Sequence, residues 1–388
     1  LMLSKNIIFK NFQLIKSSTK IKKLLKELLK ENNDVIKSLN KNYKDSFSRK
    51  IISKYKHFSE IVIIGMGGSI LGSRSIFNFL SHKIKKNFVF KDDYEKSNLD
   101  SINKKKQLNI IISKSGNTLE TISNSNILIN KKHENIFVTE NKNSYLMSLA
   151  NKLKSEIIYH NNFIGGRYSV LSEVGMLPAA LMGLRIDNFR RFNYLVKNKS
   201  FINSLVQNVS NTLYFVKKKK FNSIILNYDN KSSDLFFWYQ QLIAESLGKK
   251  SKGILPIIST MPKDNHSLMQ LYLDGFKNNF YTFFYVKENF SKKIINKKLI
   301  KSHFYLKDKT LDGIKKSQFD ATLKVFKRKK IPFRSFLLNK RDEKTLGELF
   351  TFFILETILL GKAMNLNPYD QPAVELIKKE TKKILLRS

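Results

Sequence analysis

Short apolar strands alternate with helical stretches along this chain, and this alternation limits its fold more than any other feature of the sequence. The apolar run at residues 61–64 leads into a glycine- and serine-rich turn and then into a helix from about 70 to 80. The run at 108–112 repeats the pattern, with a turn at 113–118 and a helix to about 129. Strands that alternate with helices are typical of parallel sheets. The sequence therefore predicts an α/β fold.

The second half of the chain has a similar layout. Apolar strands are predicted at 223–226, 280–286 and 333–338, with helices between them, whereas 253–264 is predicted to be a loop. A long helical stretch at about 170–216 connects the two halves. Because both halves alternate strands with helices, they indicate two sheets of the same kind.

The domain boundaries follow from this layout. We predict two doubly wound parallel-sheet domains, at 59–205 and 206–343. Residues 1–58 and 344–388 are predicted to form helical N-terminal and C-terminal segments, because apolar residues in both recur at helical spacing.

The chain is strongly basic, with 71 Lys and Arg against 31 Asp and Glu and a formal charge of +40 over 388 residues. Such a charge can indicate binding to nucleic acid or to an anionic membrane. Here the lysines are spread along the whole chain, without an arginine-rich arm, an aromatic RNA-binding motif or a zinc module. We therefore attribute the charge to a Lys/Asn/Ile-rich composition and expect no nucleic-acid partner. The positive field would still attract phosphorylated substrates.

Several classes of protein are disfavoured by what the sequence lacks. There is no cysteine, and the six histidines are scattered without metal-ligand spacing, so we expect neither disulfides nor a metal site. Residues 1–30 lack the apolar core of a signal peptide, and the most apolar run, 349–360, is short and contains Glu356. We therefore expect a cytoplasmic protein without a membrane partner.

The turn after the strand at 108–112 has the residues of a phosphate site. A helix N-terminus attracts an anion, a lysine adds a charge, and hydroxyls donate hydrogen bonds. Ordinary helix capping would need only one of these groups, so the turn favours a phosphomonoester site over simple capping. The candidate ligands are Ser113, Lys114, Ser115 and Thr118.

The turn after the first strand is a weaker signal. It contains Gly68 and Ser69, but Ile70 stands where a dinucleotide-binding fingerprint requires a third glycine. A strand–glycine–serine–helix junction of this kind can still bind one phosphate through backbone N–H groups.

A third segment places Gly165 and Gly166 directly before Arg167. Glycines let the backbone approach a ligand closely. Ser169 can cap an apolar helix that is predicted to start near Val170, which would place the arginine at a positive helix end. This arrangement suits an anionic intermediate, although a glycine-rich turn with a surface arginine is an equally good interpretation of the segment alone.

Four further polar residues are candidates on weaker grounds. Glu245 lies in a predicted helix beside apolar residues and could act as a general base, although such a glutamate is more often paired or exposed. His266 stands at a predicted helix start, where a lone histidine is usually structural. Gln371 and Lys378 are seven positions apart, which is two helical turns and therefore one helix face.

Together these motifs resemble the phosphoglucose isomerase family, which belongs to the sugar isomerase (SIS) fold group. Six motifs occur in the family's order from about residue 60 to the end of the chain. They are Gly-Gly-Ser at 67–69, the hydroxyl-rich loop at 113–121, the Gly-Gly-Arg-Tyr-Ser segment, the Glu-Ser-x-Gly-Lys helix end, the His-Ser helix start and the Asp-Gln…Val-Glu…Lys tail. The resemblance implies two SIS-type domains and a homodimer whose shared active sites take a histidine from the neighbouring subunit.

The resemblance also implies a reaction and a role for each candidate. The reaction is the reversible isomerisation of glucose 6-phosphate and fructose 6-phosphate through a cis-enediolate, a step of glycolysis and gluconeogenesis. It needs a base and a group that stabilises the developing oxyanion, and it requires no cofactor. The implied assignments are phosphate binding by Ser113, Lys114, Ser115 and Thr118, substrate proximity for Gly68 and Ser69, enediolate stabilisation by Arg167, proton transfer by Glu245, ring opening by His266 and Lys378, and substrate contact by Gln371.

Two related functions remain open from the sequence. One is a dual glucose and mannose 6-phosphate isomerase. The other is an SIS-type sensor that binds sugar phosphates without catalysis. A sensor would keep the loop at 113–118 but would not need Arg167, Glu245 and Lys378 together.

Overall fold

A computed structural model describes residues 2–94, 106–130, 132–288 and 290–387 of the chain. These residues form two sheets, one of five strands and one of six, with helices packed around both. The α/β class predicted from the alternation of strands and helices is confirmed.

The chain begins with a hairpin rather than a helix. Strands β1 (Met2–Ser4) and β2 (Ile7–Lys10) pair in antiparallel fashion, so the prediction that 1–58 is helical is wrong for residues 2–10. Ile7 and Phe9 are fully buried and Lys10 is exposed, and this alternation suits a strand. Three helices follow the hairpin, α1 (Thr19–Leu28), α2 (Asp34–Ser38) and α3 (Arg49–Tyr55).

The first sheet consists of five parallel strands in the order β4-β3-β5-β6-β7. Its strands are β3 (Glu60–Ile64), β4 (Asn87–Lys91), β5 (Leu108–Ile112), β6 (Glu134–Thr139) and β7 (Glu156–Tyr159). Its helices are α4 (Leu71–Phe79), α5 (Leu119–Leu128) and α6 (Tyr145–Lys152). In a doubly wound sheet of this order, ligands bind where the strand order reverses, which here is at the carboxyl ends of β3 and β5.

The connection between the sheets is not the single helical stretch predicted at about 170–216. It is divided into α7 (Glu173–Leu181), α8 (Phe192–Leu195) and α9 (Lys199–Lys217), with short turns between them. One break lies at Gly183, whose φ of +84° ends α7 in the left-handed conformation that glycine tolerates. Since α9 runs through the predicted boundary between 205 and 206, the division into domains stays a prediction.

The second sheet has the order β1-β2-β11-β10-β8-β9, so the N-terminal hairpin extends it at one edge. Strands β8 to β11 are mutually parallel, and β2 pairs with β11 in antiparallel fashion. The bounds of these strands are β8 (Asn222–Asn227), β9 (Leu255–Thr260), β10 (Asn279–Val286) and β11 (Phe333–Leu338). The helices between them are α10 (Ser233–Leu247), α11 (Met269–Asp274) and α12 (Leu311–Arg328).

Strand β9 lies within the segment 253–264 that was predicted to be a loop. The segment contains Pro256, which cannot donate a hydrogen bond to a neighbouring strand. Because β9 stands at the edge of its sheet, it can contain a proline, as edge strands do. Proline in this segment therefore marks a sheet edge and not a loop.

Two helices end the chain, and their surroundings differ sharply. Helix α13 (Glu343–Ala363) is buried over most of its length and packs against α1, α9 and α10. Helix α14 (Val374–Leu385) has no buried residue, and its apolar side chains, including Leu376 and Ile377, are exposed. Among the described residues, no helix combines the length and apolarity needed to cross a membrane.

The hairpin should contribute to stability as part of the core. The Phe9 ring lies 4.5 Å from that of Phe336 and 5.4 Å from that of Phe352, measured between ring centroids. We expect Phe9→Ala to lower the free energy of unfolding by about 3–5 kcal/mol, measured by urea denaturation. Leu14→Ala is the control, because Leu14 is 51% exposed and should change stability by no more than about 0.5 kcal/mol. Equal effects of the two substitutions would contradict this role of the hairpin.

Candidate active site

The glycine-rich turn after β3 packs directly against the segment that contains Arg167. A Cβ added to Gly68 would lie 2.2 Å from the carbonyl carbon of Gly166 and 2.5 Å from the backbone nitrogen of Arg167, so only glycine fits there. Residues 166–171 form a 3-10 helix, and the Ser169 hydroxyl donates to the Gly166 carbonyl at 2.7 Å. The prediction that Ser169 caps a helix near Val170 is therefore wrong, since α7 begins only at Glu173.

Arg167 is a buried residue, 2% exposed, and not a surface arginine. Each of its five N–H groups has an acceptor, as a buried guanidinium requires. Two acceptors belong to α10, the Ser246 hydroxyl at 2.8 Å and a Glu245 carboxylate oxygen at 3.2 Å. The other three lie between α13 and α14, namely the Gln371 side-chain oxygen at 2.7 Å and the carbonyls of Pro368 at 2.8 Å and Asp370 at 3.0 Å.

The Glu245 carboxylate is held from two sides and stays partly open. One oxygen contacts Arg167, and the other accepts a hydrogen bond from Gln241 at 2.8 Å. The side chain remains 30% exposed. It can therefore exchange a proton with a bound molecule while its orientation is maintained.

Gln241 was not singled out in the sequence, although it belongs to the same cluster. Besides its bond to Glu245, its amide nitrogen would lie 2.9 Å from a Cβ added at Gly67, so it also reaches the turn after β3. The available signal was its spacing of four residues from Glu245, which places the two side chains on one face of α10.

A cavity of about 610 Å³ opens beside this cluster. Its walls come from the end of α10, including Glu245 and Lys249, and from the segment before α14, including Asp370 and Gln371. A volume of this size suits a small-molecule ligand. Of the candidates predicted from the sequence, Arg167, Glu245, Gln371 and the Gly68 turn are thus brought together.

The hydroxyl-rich turn follows β5 at the point where the strand order reverses. The hydroxyls of Ser113 and Thr118 lie 2.8 Å apart, and the Thr118 side chain does not cap α5. The turn therefore has more polar groups than helix capping uses. The Lys114 ammonium donates to the carbonyl of Asn162 at 2.9 Å and lies 3.6 Å from Glu140. Burial lowers the pKa of Lys114, and the charge of Glu140 only partly opposes this shift.

Two predicted site residues do not line the cavity in the single chain. His266 is exposed and follows a short 3-10 turn after β9. Lys378 is exposed on α14, with its ammonium 2.6 Å from Glu375. The prediction that Gln371 and Lys378 share a helix face is wrong, because Pro372 disfavours helix at the residue before it and α14 starts only at Val374. The catalytic roles of His266 and Lys378 stay predictions.

A buried arginine faces a partly open carboxylate, near a hydroxyl-rich turn on a doubly wound sheet, and this arrangement suits an isomerase of phosphorylated sugars. The family model for phosphoglucose isomerase matches residues 19–387. The chain belongs to the phosphoglucose isomerase family. Among the described residues, no three His, Asp or Glu side chains group as possible metal ligands.

Curated relatives agree with this assignment over nearly their whole length. The glucose-6-phosphate isomerase of Methanocaldococcus jannaschii is 33% identical over 371 residues, which cover 89% of this chain and 88% of the relative. The enzyme of the same name from Mycoplasmopsis pulmonis is 32% identical over 385 residues, with 91% and 89% covered.

Solved structures confirm the fold. A hypothetical protein from Thermus thermophilus superposes with a TM-score of 0.81 at 23% identity, covering 94% of both chains. A glucose-6-phosphate isomerase from Chlamydia trachomatis superposes with a TM-score of 0.75 at 15% identity, covering 94% of this chain and 83% of the other. The two SIS-type parallel-sheet units inferred from the sequence are therefore confirmed at the level of fold.

The lowered pKa of Lys114 predicts an alkaline limit on phosphate binding. Its ammonium loses the proton at a lower pH than an ordinary lysine, so attraction for a phosphate should weaken as the pH rises toward 10.5. Lys114→Arg keeps its charge throughout this range. We expect the Kd for inorganic phosphate, measured by calorimetry between pH 7 and 10, to rise in the wild-type chain and to change much less in the variant. Parallel pH profiles would contradict a contact between Lys114 and phosphate.

Proposed function

We propose that this chain catalyses the reversible isomerisation of glucose 6-phosphate and fructose 6-phosphate through a cis-enediolate, as its curated relatives' names indicate. The observation that supports this most directly is the contact between Arg167 and Glu245 at the cavity wall. A base and a fixed positive charge lie side by side there. Proton removal next to a carbonyl group needs this combination.

Glu245 is the proposed base, and Arg167 is the proposed electrostatic stabiliser. Glu245 would take the proton from C2 of the aldose and return it to C1, and the reverse reaction would use the same carboxylate. The Nη1 group of Arg167 now donates to Glu245 and to Gln371. The negative enediolate oxygen would take the place of one of these two acceptors. Since burial keeps water away from the guanidinium, its charge should act strongly on the developing oxyanion.

The phosphate group is proposed to bind at the turn after β5. Support comes from its place at the carboxyl end of a central strand and from the Ser113 and Thr118 hydroxyls, which bond to each other rather than to α5. Lys114 and Ser115 would add a charge and a third hydroxyl. Gly68 and Ser69, on the neighbouring turn, would lie close to the sugar.

We further propose a cytoplasmic homodimer in which each site takes His266 from the partner subunit, with no nucleic-acid or membrane partner. Within one chain His266 is exposed and does not line the cavity beside Glu245, which leaves it available to a partner subunit. Helix α14 would bring Lys378 to the sugar only by packing differently from its position in the single chain. Its exposed Leu376 and Ile377 support such packing, because burial of apolar side chains stabilises a helix against a second surface. The His266 and Lys378 side chains would then open the sugar ring.

A sensor without catalysis is not favoured by the site. Phosphate binding at 113–118 would not require a carboxylate between Gln241 and a buried arginine.

Glu245→Gln should separate chemistry from binding. The amide cannot accept the proton, so kcat should fall by about two or more decades, which is the usual scale for a general base. Binding of the substrate should change little, because the amide has nearly the same shape. Coupled assays would measure kcat, and exchange of the C2 proton with solvent would be followed by NMR. Near-normal turnover and exchange would exclude Glu245 as the base.

Mixed dimers test the origin of His266. If each site draws on both chains, a dimer of one Glu245→Gln subunit and one His266→Ala subunit contains one intact site. Mixing the two inactive variants should then restore a substantial part of the activity. Differently tagged subunits and mass spectrometry would verify that mixed dimers form. Absence of recovery in verified mixed dimers would show that His266 acts within its own subunit.

A further inference from the structure

A buried ion pair joins two residues that stand before and after the Arg167 segment in the chain, and the proposed reaction does not use it. His160 follows β7, and Glu173 is the first residue of α7. Both side chains are 1% exposed, and the Nδ1 atom of His160 lies 2.5 Å from a carboxylate oxygen of Glu173. Burial of two ionisable groups is costly unless they interact closely, so this contact calls for an explanation.

The surrounding hydrogen bonds determine the charge on each group. The Nε2 atom of His160 faces the carbonyl of Ile164 at 2.9 Å and must donate to it, because a carbonyl only accepts. The Glu173 carboxylate accepts from the backbone N–H of Asn161 at 2.9 Å and from the Tyr43 hydroxyl at 3.1 Å. Burial raises the pKa of Glu173, but the hydrogen bond and charge of His160 outweigh it and leave the pKa below its usual value. An ionised carboxylate only accepts, so the Nδ1 atom of His160 facing it also donates, and with both ring nitrogens donating the pair is an imidazolium and a carboxylate.

No other cation neutralises Glu173 among the described residues. The nearby Arg190 guanidinium bonds instead to Asp45 at 2.6 Å and to the carbonyl of Leu171 at 2.9 Å. Burial and the charge of Glu173 raise the pKa of Tyr43, so its hydroxyl stays a donor. The charge of Glu173 is thus balanced by His160.

The pair contacts one short loop, residues 160–166, at two points. His160 bonds to the carbonyl of Ile164, three residues before Arg167, while Glu173 bonds to the N–H of Asn161. Between these two points, the carbonyl of Asn162 accepts the hydrogen bond of Lys114. One loop therefore connects the phosphate-binding turn to the arginine segment.

The bond between Lys114 and Asn162 should change when the substrate binds. A phosphate would attract the Lys114 ammonium, and the Asn162 carbonyl would then lose its partner. The ion pair would then hold the loop together with the bonds that Asn161 accepts from the backbone N–H groups of Phe163 and Ile164. A displacement of about 1 Å at a catalytic group can cost a hundredfold in rate.

We propose that the His160–Glu173 ion pair positions the 160–166 loop so that phosphate binding at Lys114 leaves Arg167 in place for the enediolate. This inference rests on the proposed function. Neither side chain lines the cavity beside Glu245, so both act as positioning residues. Loss of the pair should weaken stabilisation of the transition state more than it weakens binding of the substrate or of phosphate.

The test is Glu173→Gln, which removes the charge. Its one amide oxygen can still accept from the N–H of Asn161, and its amide N–H group can donate to the Tyr43 hydroxyl oxygen. We expect kcat for glucose 6-phosphate to fall by about tenfold or more, on the scale of misplaced catalytic groups. The KM and the Kd for inorganic phosphate should stay within about twofold. Binding of 5-phosphoarabinonate, an enediolate analogue, should weaken by a factor similar to the loss of kcat.

Glu348→Gln is the matched control. Glu348 is also a buried carboxylate, 3.3 Å from Arg191, but it lies on α13 away from the cavity. Both variants should lower the melting temperature, whereas only Glu173→Gln should lower kcat. His160→Gln should give the same loss as Glu173→Gln, and the double variant should lose no more than either single one, because the pair acts as a unit.

Three results would overturn the inference. They are an unchanged kcat in Glu173→Gln, a fall in kcat that Glu348→Gln reproduces, and a Kd for phosphate that rises in parallel with the loss of kcat. If Glu173→Gln does not fold, His160→Gln provides the same comparison, with Tyr43→Phe as the variant that removes one bond but keeps the ion pair. A wild-type chain without isomerase activity would refute the proposed function instead.

Discussion

The buried guanidinium of Arg167 is the interaction on which the candidate site depends. A charge with this little exposure is tolerated only when every N–H group has an acceptor. Its five acceptors come from α10 and from the segment between α13 and α14, two parts of the chain that are far apart in sequence. The need to neutralise one charge therefore brings Glu245, the proposed base, and Gln371, the proposed substrate contact, to the same place.

The fold around this charge follows in large part from patterns that the sequence displays, and the hairpin and β9 are informative exceptions. Every residue of β5 and β10 is buried, so each strand is a continuous apolar or mostly apolar run in the sequence. Both strands were predicted close to their observed bounds. The hairpin was missed because its strands are only three and four residues long, and β9 was missed because it contains a proline, which an edge strand tolerates. Their pairing depends on distant strands, which local patterns do not encode.

The candidate site was predictable where a motif brings its own backbone geometry, and less so where it depends on packing. The backbones of the glycine turn and of the Arg167 segment can touch because Gly68 has no side chain. The glycine in the sequence therefore points to a close backbone contact. Gln241 was missed because a glutamine in an amphipathic helix has no distinctive signal. The position of Lys378 depends on where α14 packs, and an exposed amphipathic helix has no surface of its own chain to determine that.

The N-terminal hairpin has a consequence for biosynthesis. Strand β2 borders β11, and the side chain of Asn6 bonds to Thr345, 339 positions later in the chain. The ribosome must therefore synthesise β11 before β1 and β2 can join the second sheet. Until then, the edge of β2 that pairs with β11 in the folded chain has no partner strand. Unpaired strand edges promote association between nascent chains. Residues translated long before β11 thus reach their native partners only after it has been made.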